Sequence, residues 1–62
     1  MKYSEIHRKL RDAGCHIIRY GSRHPIWESP ITGKTFPTSN HDSEEAKKGT
    51  IAKISKLSGV QL

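Results

Sequence analysis

The chain has 62 residues, and a domain of that size buries only about 60% of its unfolded surface, which excludes a deep active-site cleft and confines any chemistry to a few side chains on a small surface. Eleven Lys and Arg against six Asp and Glu leave a charge of +5; this favours partners rich in phosphate or carboxylate, although a merely soluble basic surface accounts for the charge at least as well. A single cysteine, Cys15, excludes an internal disulfide and fits a reducing compartment, while the charged stretch Met1 to Asp12 and the lack of an apolar run near ~18 residues give neither a secretory signal nor a membrane span, so the expected location is cytoplasmic by default.

Ser4 stands in an N-cap position ahead of Ile6, Leu10 and Ala13 at helical spacing, with Arg8, Lys9, Arg11 and Asp12 on the other faces. Gly14 stops the pattern where a C-cap glycine belongs. The first helix is therefore predicted over Ser4 to Ala13, its basic face mostly solvated surface. Cys15 to Tyr20 is β-branched and aromatic and predicts a strand in which Cys15 is a small buried side chain. Ile17 and Ile18 are adjacent, so alternation does not fix the strand's phase. Gly21 and Ser22 supply a reversal, and His24 to Ser29 form a second strand. Pro25 has no N–H to give to a ladder, which puts the start of that strand at an edge or outside the ladder. Trp27, the sole tryptophan, reads as a core or sheet-face anchor.

Pro30 to Gly33 form a turn, and Lys34 to Thr38 a short third strand that ends at Pro37. Thr38 to Glu45 is polar, contains Asn40, His41 and Asp42, and reads as a loop. The final segment opens at Glu44 and places Ile51, Ile54 and Leu57 at i, i+3 and i+6 before Ser58-Gly59, a second amphipathic helix, after which Val60 and Leu62 are expected to tuck onto the core. The predicted whole is one domain over residues 1–62 of the α+β class, ordered αβββα, with a three-stranded antiparallel sheet and both helices on one face.

That order, with a basic surface, is the one found in double-stranded RNA-binding domains, which read A-form shape through phosphate and 2′-hydroxyl contacts. Lys47, Lys48, Gly49 and Thr50 lie at the start of the second helix, where free amides and the positive dipole end suit an anion; that Gly49 only eases entry into the helix is an equal alternative. His24 has an imidazole able to act as general base or acid. RNA brings its own nucleophile, the 2′-hydroxyl, so a ribonuclease needs little beyond a positioned base or acid and cations for the phosphorane charge. Arg19, Arg23, Lys47 and Lys48 are the available cations. On residues alone, a strand-end histidine is more often polar surface than a catalyst. His16, His24, His41 and Cys15 match no zinc spacing, so neither a metal nor another cofactor is expected.

The run Arg-Asp-Ala-Gly at 11–14, then Ile17-Ile18-Arg19, Gly21-Ser22-Arg23-His24, Ile26-Trp27, Pro30, Gly33-Lys34, Phe36-Pro37, His41, Lys47-Lys48-Gly49-Thr50-Ile51, Ile54 and Ser58-Gly59-Val60 resembles the HicA-type toxins, the YcfA-like mRNA interferases. The resemblance spans nearly the whole chain in order. It implies the double-stranded-RNA-binding-like αβββα fold, translation-independent endonuclease cleavage of RNA, and neutralisation by a HicB-type antitoxin. It also implies that the histidine after the Gly-Ser turn is catalytic, a role that falls on His24; Arg19, Arg23, Lys47 and Lys48, the cations read from the residues themselves, are the expected RNA contacts. Here Arg23 separates that histidine from Gly-Ser and Pro25 follows it, and the family's Pro-Arg-His after the third strand becomes Pro37-Thr38-Ser39-Asn40-His41. Beside a toxic ribonuclease stand two other readings: a non-catalytic RNA- or DNA-binding module, and an interaction protein that holds an acidic partner through Trp27 or Tyr20.

Overall fold

The computed structural model describes residues 1–21 and 23–62. Helix α1 (Tyr3–Asp12) is followed by strands β1 (His16–Tyr20), β2 (Pro25–Glu28) and β3 (Thr35–Pro37) and by helix α2 (Lys48–Ser58). The strands form one antiparallel meander in the order β1-β2-β3, the αβββα arrangement of double-stranded-RNA-binding type. Each element lies within a few residues of its sequence-based bounds, with α2 beginning four residues beyond Glu44 because residues 44–46 pair with the backbone at and before the start of α1 and Lys47 is the N-cap of α2.

One row of side chains explains why both helices pack on the same face. Ile17, Trp27 and Phe36 are register partners across the three strands, so they project together. Trp27 and Phe36 are buried against Ile6 and Leu10 of α1 and Ile54 of α2, with Ile17, Ile51, Leu57, Val60 and Leu62 packed around them. Each large apolar side chain fully removed from water here stabilises the fold by roughly 1.5–3 kcal/mol. Cys15 is buried at the edge of this cluster. The phase that two adjacent isoleucines left open is settled by a bulge between Ile17 and Arg19. It absorbs one residue, so Ile17 faces the core and Ile18 stays exposed.

Two sequence-based expectations are corrected. Ser4 does not cap α1: the N-cap is Lys2, without a side-chain hydrogen bond, and the free amides of Tyr3 and Ser4 donate to the carbonyls of Glu44 (3.0 Å) and Asp42 (2.9 Å). Backbone from the distant loop thus replaces the serine hydroxyl. The second strand does not start at an edge; His24 stands outside the ladder, as one alternative expected, but Pro25 lies within it. It opens the central strand opposite Tyr20, where being first makes its missing N–H harmless. The Gly21-Ser22 reversal falls partly on Ser22, outside the described residues.

The last turn of α2 is held by the turn between β2 and β3. The hydroxyl of buried Ser29 donates to the Ser58 carbonyl, and Thr32 donates to the Leu57 carbonyl at 2.6 Å. Gly59 then leaves the helix with φ +74, its N–H on the Ser55 carbonyl, a left-handed exit that favours glycine. With β2 fixed to the end of α2, the helix is set against β3.

Candidate functional site

A groove of about 470 Å³ opens where the end of β3, the loop after it and α2 meet the β1–β2 turn. Gly21 N–H donates to the His24 carbonyl at 2.8 Å, and Thr38 N–H donates to the Pro25 carbonyl at 3.1 Å. The first bond closes the turn and the second ties the start of β2 to the end of β3. His24, one residue before Pro25, is thereby brought beside residues 14 and more positions away in sequence, Thr38 among them.

Arg23 and His24, both exposed, line the groove from the turn. Phe36, Pro37 and Thr38 line it from the sheet; Asn40, His41 and Glu44 from the loop; Tyr3 from α1. Helix α2 contributes Thr50, Lys53, Ile54 and Leu57, which at i, i+3, i+4 and i+7 share one helical face. The groove is apolar at its base, through Phe36, Ile54 and Leu57, and lined by two imidazoles and two cations. His41 is fixed locally, its N–H donating to the Ser39 hydroxyl (3.1 Å) and its carbonyl accepting from Glu44 N–H (3.0 Å). Burial, with the Glu44 carboxylate adding to it, raises the Tyr3 phenol above its ordinary value, so at neutral pH it keeps its proton as a possible donor.

Of the cations named from sequence, Arg23 reaches the groove and Arg19, Lys47 and Lys48 do not. Arg19 pairs with Ile26, one step out of phase with Trp27, and so belongs to the sheet face away from the helices. Lys47 is the N-cap of α2 and Lys48 its first residue, both exposed and about one turn before Thr50. Lys53 is the groove cation that sequence reasoning passed over. Its signal was available: it precedes Ile54 by one and Leu57 by four, on the flank of the apolar stripe. The family resemblance includes His41 but gives it no role, because a polar loop has no periodicity that places its side chains. Among the described residues no three His, Cys, Asp or Glu side chains converge as metal ligands would, and no helix is long and apolar enough to cross a membrane.

Residues 3–60 match the family model described as HicA toxin of bacterial toxin-antitoxin. The chain belongs to the HicA toxin family. Only Met1, Lys2, Gln61 and Leu62 lie outside the match, so it covers every helix and strand described above. As a HicA toxin, the chain is the toxin of a toxin–antitoxin system and has an antitoxin as its partner. No curated protein and no solved structure matches it.

Proposed function

We propose that this HicA toxin is an endoribonuclease, an mRNA interferase acting without the ribosome, whose scissile phosphate lies in the groove against His24. The supporting observation is that Arg23 and His24, His41, and Lys53, from three separate segments of the chain, line one groove. Cleavage takes its nucleophile from the substrate. One imidazole, neutral, removes the proton of the 2′-hydroxyl as that oxygen attacks the adjacent phosphorus. The other, protonated, delivers a proton to the departing 5′-oxygen, leaving a 2′,3′-cyclic phosphate and a free 5′-hydroxyl. His24 takes one of these roles, general base or general acid, and His41 the other. Arg23 and Lys53 stabilise the charge that builds on the non-bridging oxygens. Lys47 and Lys48, ahead of the groove on α2, suit phosphates flanking the cleaved one; Arg19, on the far sheet face, suits RNA that wraps the edge of the sheet.

The same groove accounts for neutralisation. A HicB-type antitoxin that covers His24 or the cations beside it would exclude RNA, and the toxin would then act in the cytoplasm only when released.

Inducing the chain in a bacterial host tests the reading. Growth should arrest and transcripts shorten, while His24→Ala abolishes both and His41→Ala slows cleavage by about 10²–10⁴-fold and removes one limb of the pH–rate profile. Arrest without shortened transcripts, accompanied by salt-dependent RNA binding that yields no products, would replace the enzyme with a binding module.

A further inference from the structure

His7 is a buried titratable side chain that the groove chemistry does not use. It is 5% exposed, and its ring stacks on Trp27 with centroids 5.4 Å apart and 26° between the planes. Nδ1 meets the Asp42 carboxylate at 2.9 Å and Nε2 meets the Thr38 hydroxyl at 2.8 Å. A carboxylate only accepts, so Nδ1 carries the proton. In the neutral ring Nε2 then accepts from the Thr38 hydroxyl, whose oxygen in turn accepts the Trp27 indole N–H at 3.0 Å. Among the described residues no buried side-chain nitrogen or oxygen lacks a partner, and this chain from Trp27 through Thr38 and His7 to Asp42 is complete.

The two partners of His7 bracket the irregular segment after β3. Thr38 begins it, and Asp42 lies four residues on, next to His41. Between and just beyond them sit the groove residues Asn40, His41 and Glu44. We propose that His7 is a positioning residue that clamps the 38–42 segment by both ring nitrogens and thereby sets the groove wall that carries His41. This rests on the groove being the cleavage site. The segment has no ladder of its own, and a misplacement near 1 Å of a reacting group can lower a rate by as much as about 10²-fold. The backbone bond from Ser4 N–H to the Asp42 carbonyl joins the same helix to the same loop residue, so loss of the clamp should register there.

Asp42 supplies the cleanest test, because its side chain is 70% exposed and its replacement removes no apolar packing from the core. Asp42→Asn and Asp42→Ala both remove the charge, and only Asn keeps an oxygen to accept from Nδ1. Amide hydrogen exchange should show Ser4 and Glu44 exchanging on the order of tenfold faster in Asp42→Ala and His7→Phe than in wild type and Asp42→Asn, with the β1–β2 amides unchanged. Cleavage of saturating labelled RNA should fall on the order of tenfold in Asp42→Ala and stay near wild type in Asp42→Asn. Equal exchange in the Asn and Ala variants overturns the clamp, and differing exchange with equal cleavage overturns its positioning role. If wild type fails to cleave RNA, the proposed function falls, and hydrogen exchange still decides whether His7 holds the loop.

Discussion

Replacing Gly59 by alanine should cost more than replacing either of two other glycines, for reasons that separate backbone strain from contact. Gly33 and Gly59 have nearly the same conformation, φ +71 and +74, so each substitution carries the left-handed penalty of about 1–2 kcal/mol. A Cβ at Gly33 meets nothing within 4 Å, whereas one at Gly59 lies 2.7 Å from Ile31 Cγ2 and 3.0 Å from Thr32 Cγ2. Ile31 is 59% exposed and can turn away, but Thr32 is held by its bond to the Leu57 carbonyl. Forcing side chains off their rotamers costs about 0.5–1.5 kcal/mol, which with the left-handed penalty brings Gly59→Ala to about 1.5–3.5 kcal/mol. A fold of this length has only about 3–9 kcal/mol in total, at ~0.05–0.15 per residue. Thermal unfolding followed by the buried Trp27 should place Gly59→Ala below Gly33→Ala by roughly 4–8 °C. Gly49→Ala, in the first turn of α2 with open space around it, should be neutral or stabilising by up to about 1 kcal/mol. If Gly59→Ala unfolds no earlier than Gly33→Ala, α2 does not dock on the 31–32 turn as described.

Ser29→Ala should cost about 1–3 kcal/mol in urea unfolding, because it strands the buried Ser58 carbonyl and leaves the Ile31 N–H, now bonded to the serine oxygen, without its partner. Glu45 hydrogen-bonds the terminal ammonium at 2.8 Å, and that bond, then the charge behind it, holds its carboxyl below the ordinary carboxylate range. A depressed carboxyl pKa contributes stability above the ordinary range and loses it as pH falls through the folded value. The unfolding midpoints of wild type and Glu45→Gln should therefore differ slightly at pH 7 and converge in acid. Lys53→Gln should weaken RNA binding and make its salt slope shallower by about one. Lys56→Gln, exposed on the same helix and outside the groove, should leave the slope unchanged in the same titration.

The element order was legible because this fold writes its core in periodic apolar residues. Ile6 and Leu10, Trp27 and Phe36, and Ile54 mark the buried face of each helix and strand. The bulge at Ile18 was not legible, since two adjacent isoleucines permit either phase until a partner strand selects one. The Ser4 cap failed because capping propensity is local, while the acceptors that win, Asp42 and Glu44, come from some forty residues away. Arg23 and His24 were found through a turn and a family resemblance. Lys53, His41 and His7 depend on how α2, the loop and α1 meet, which no local pattern records. His7 in particular sits among Arg8, Lys9 and Arg11 as one more polar residue of α1, and only the stack on Trp27 and its two hydrogen bonds distinguish it.

The most direct test of the central claim is cleavage of an end-labelled RNA by purified protein in the presence of a chelator, wild type against His24→Ala, with Trp27 fluorescence confirming that the variant is folded. Wild type should produce fragments ending in 2′,3′-cyclic phosphate, and folded His24→Ala should produce none above background. Fragments formed at the wild-type rate by folded His24→Ala would contradict the assignment of the groove as the cleavage site.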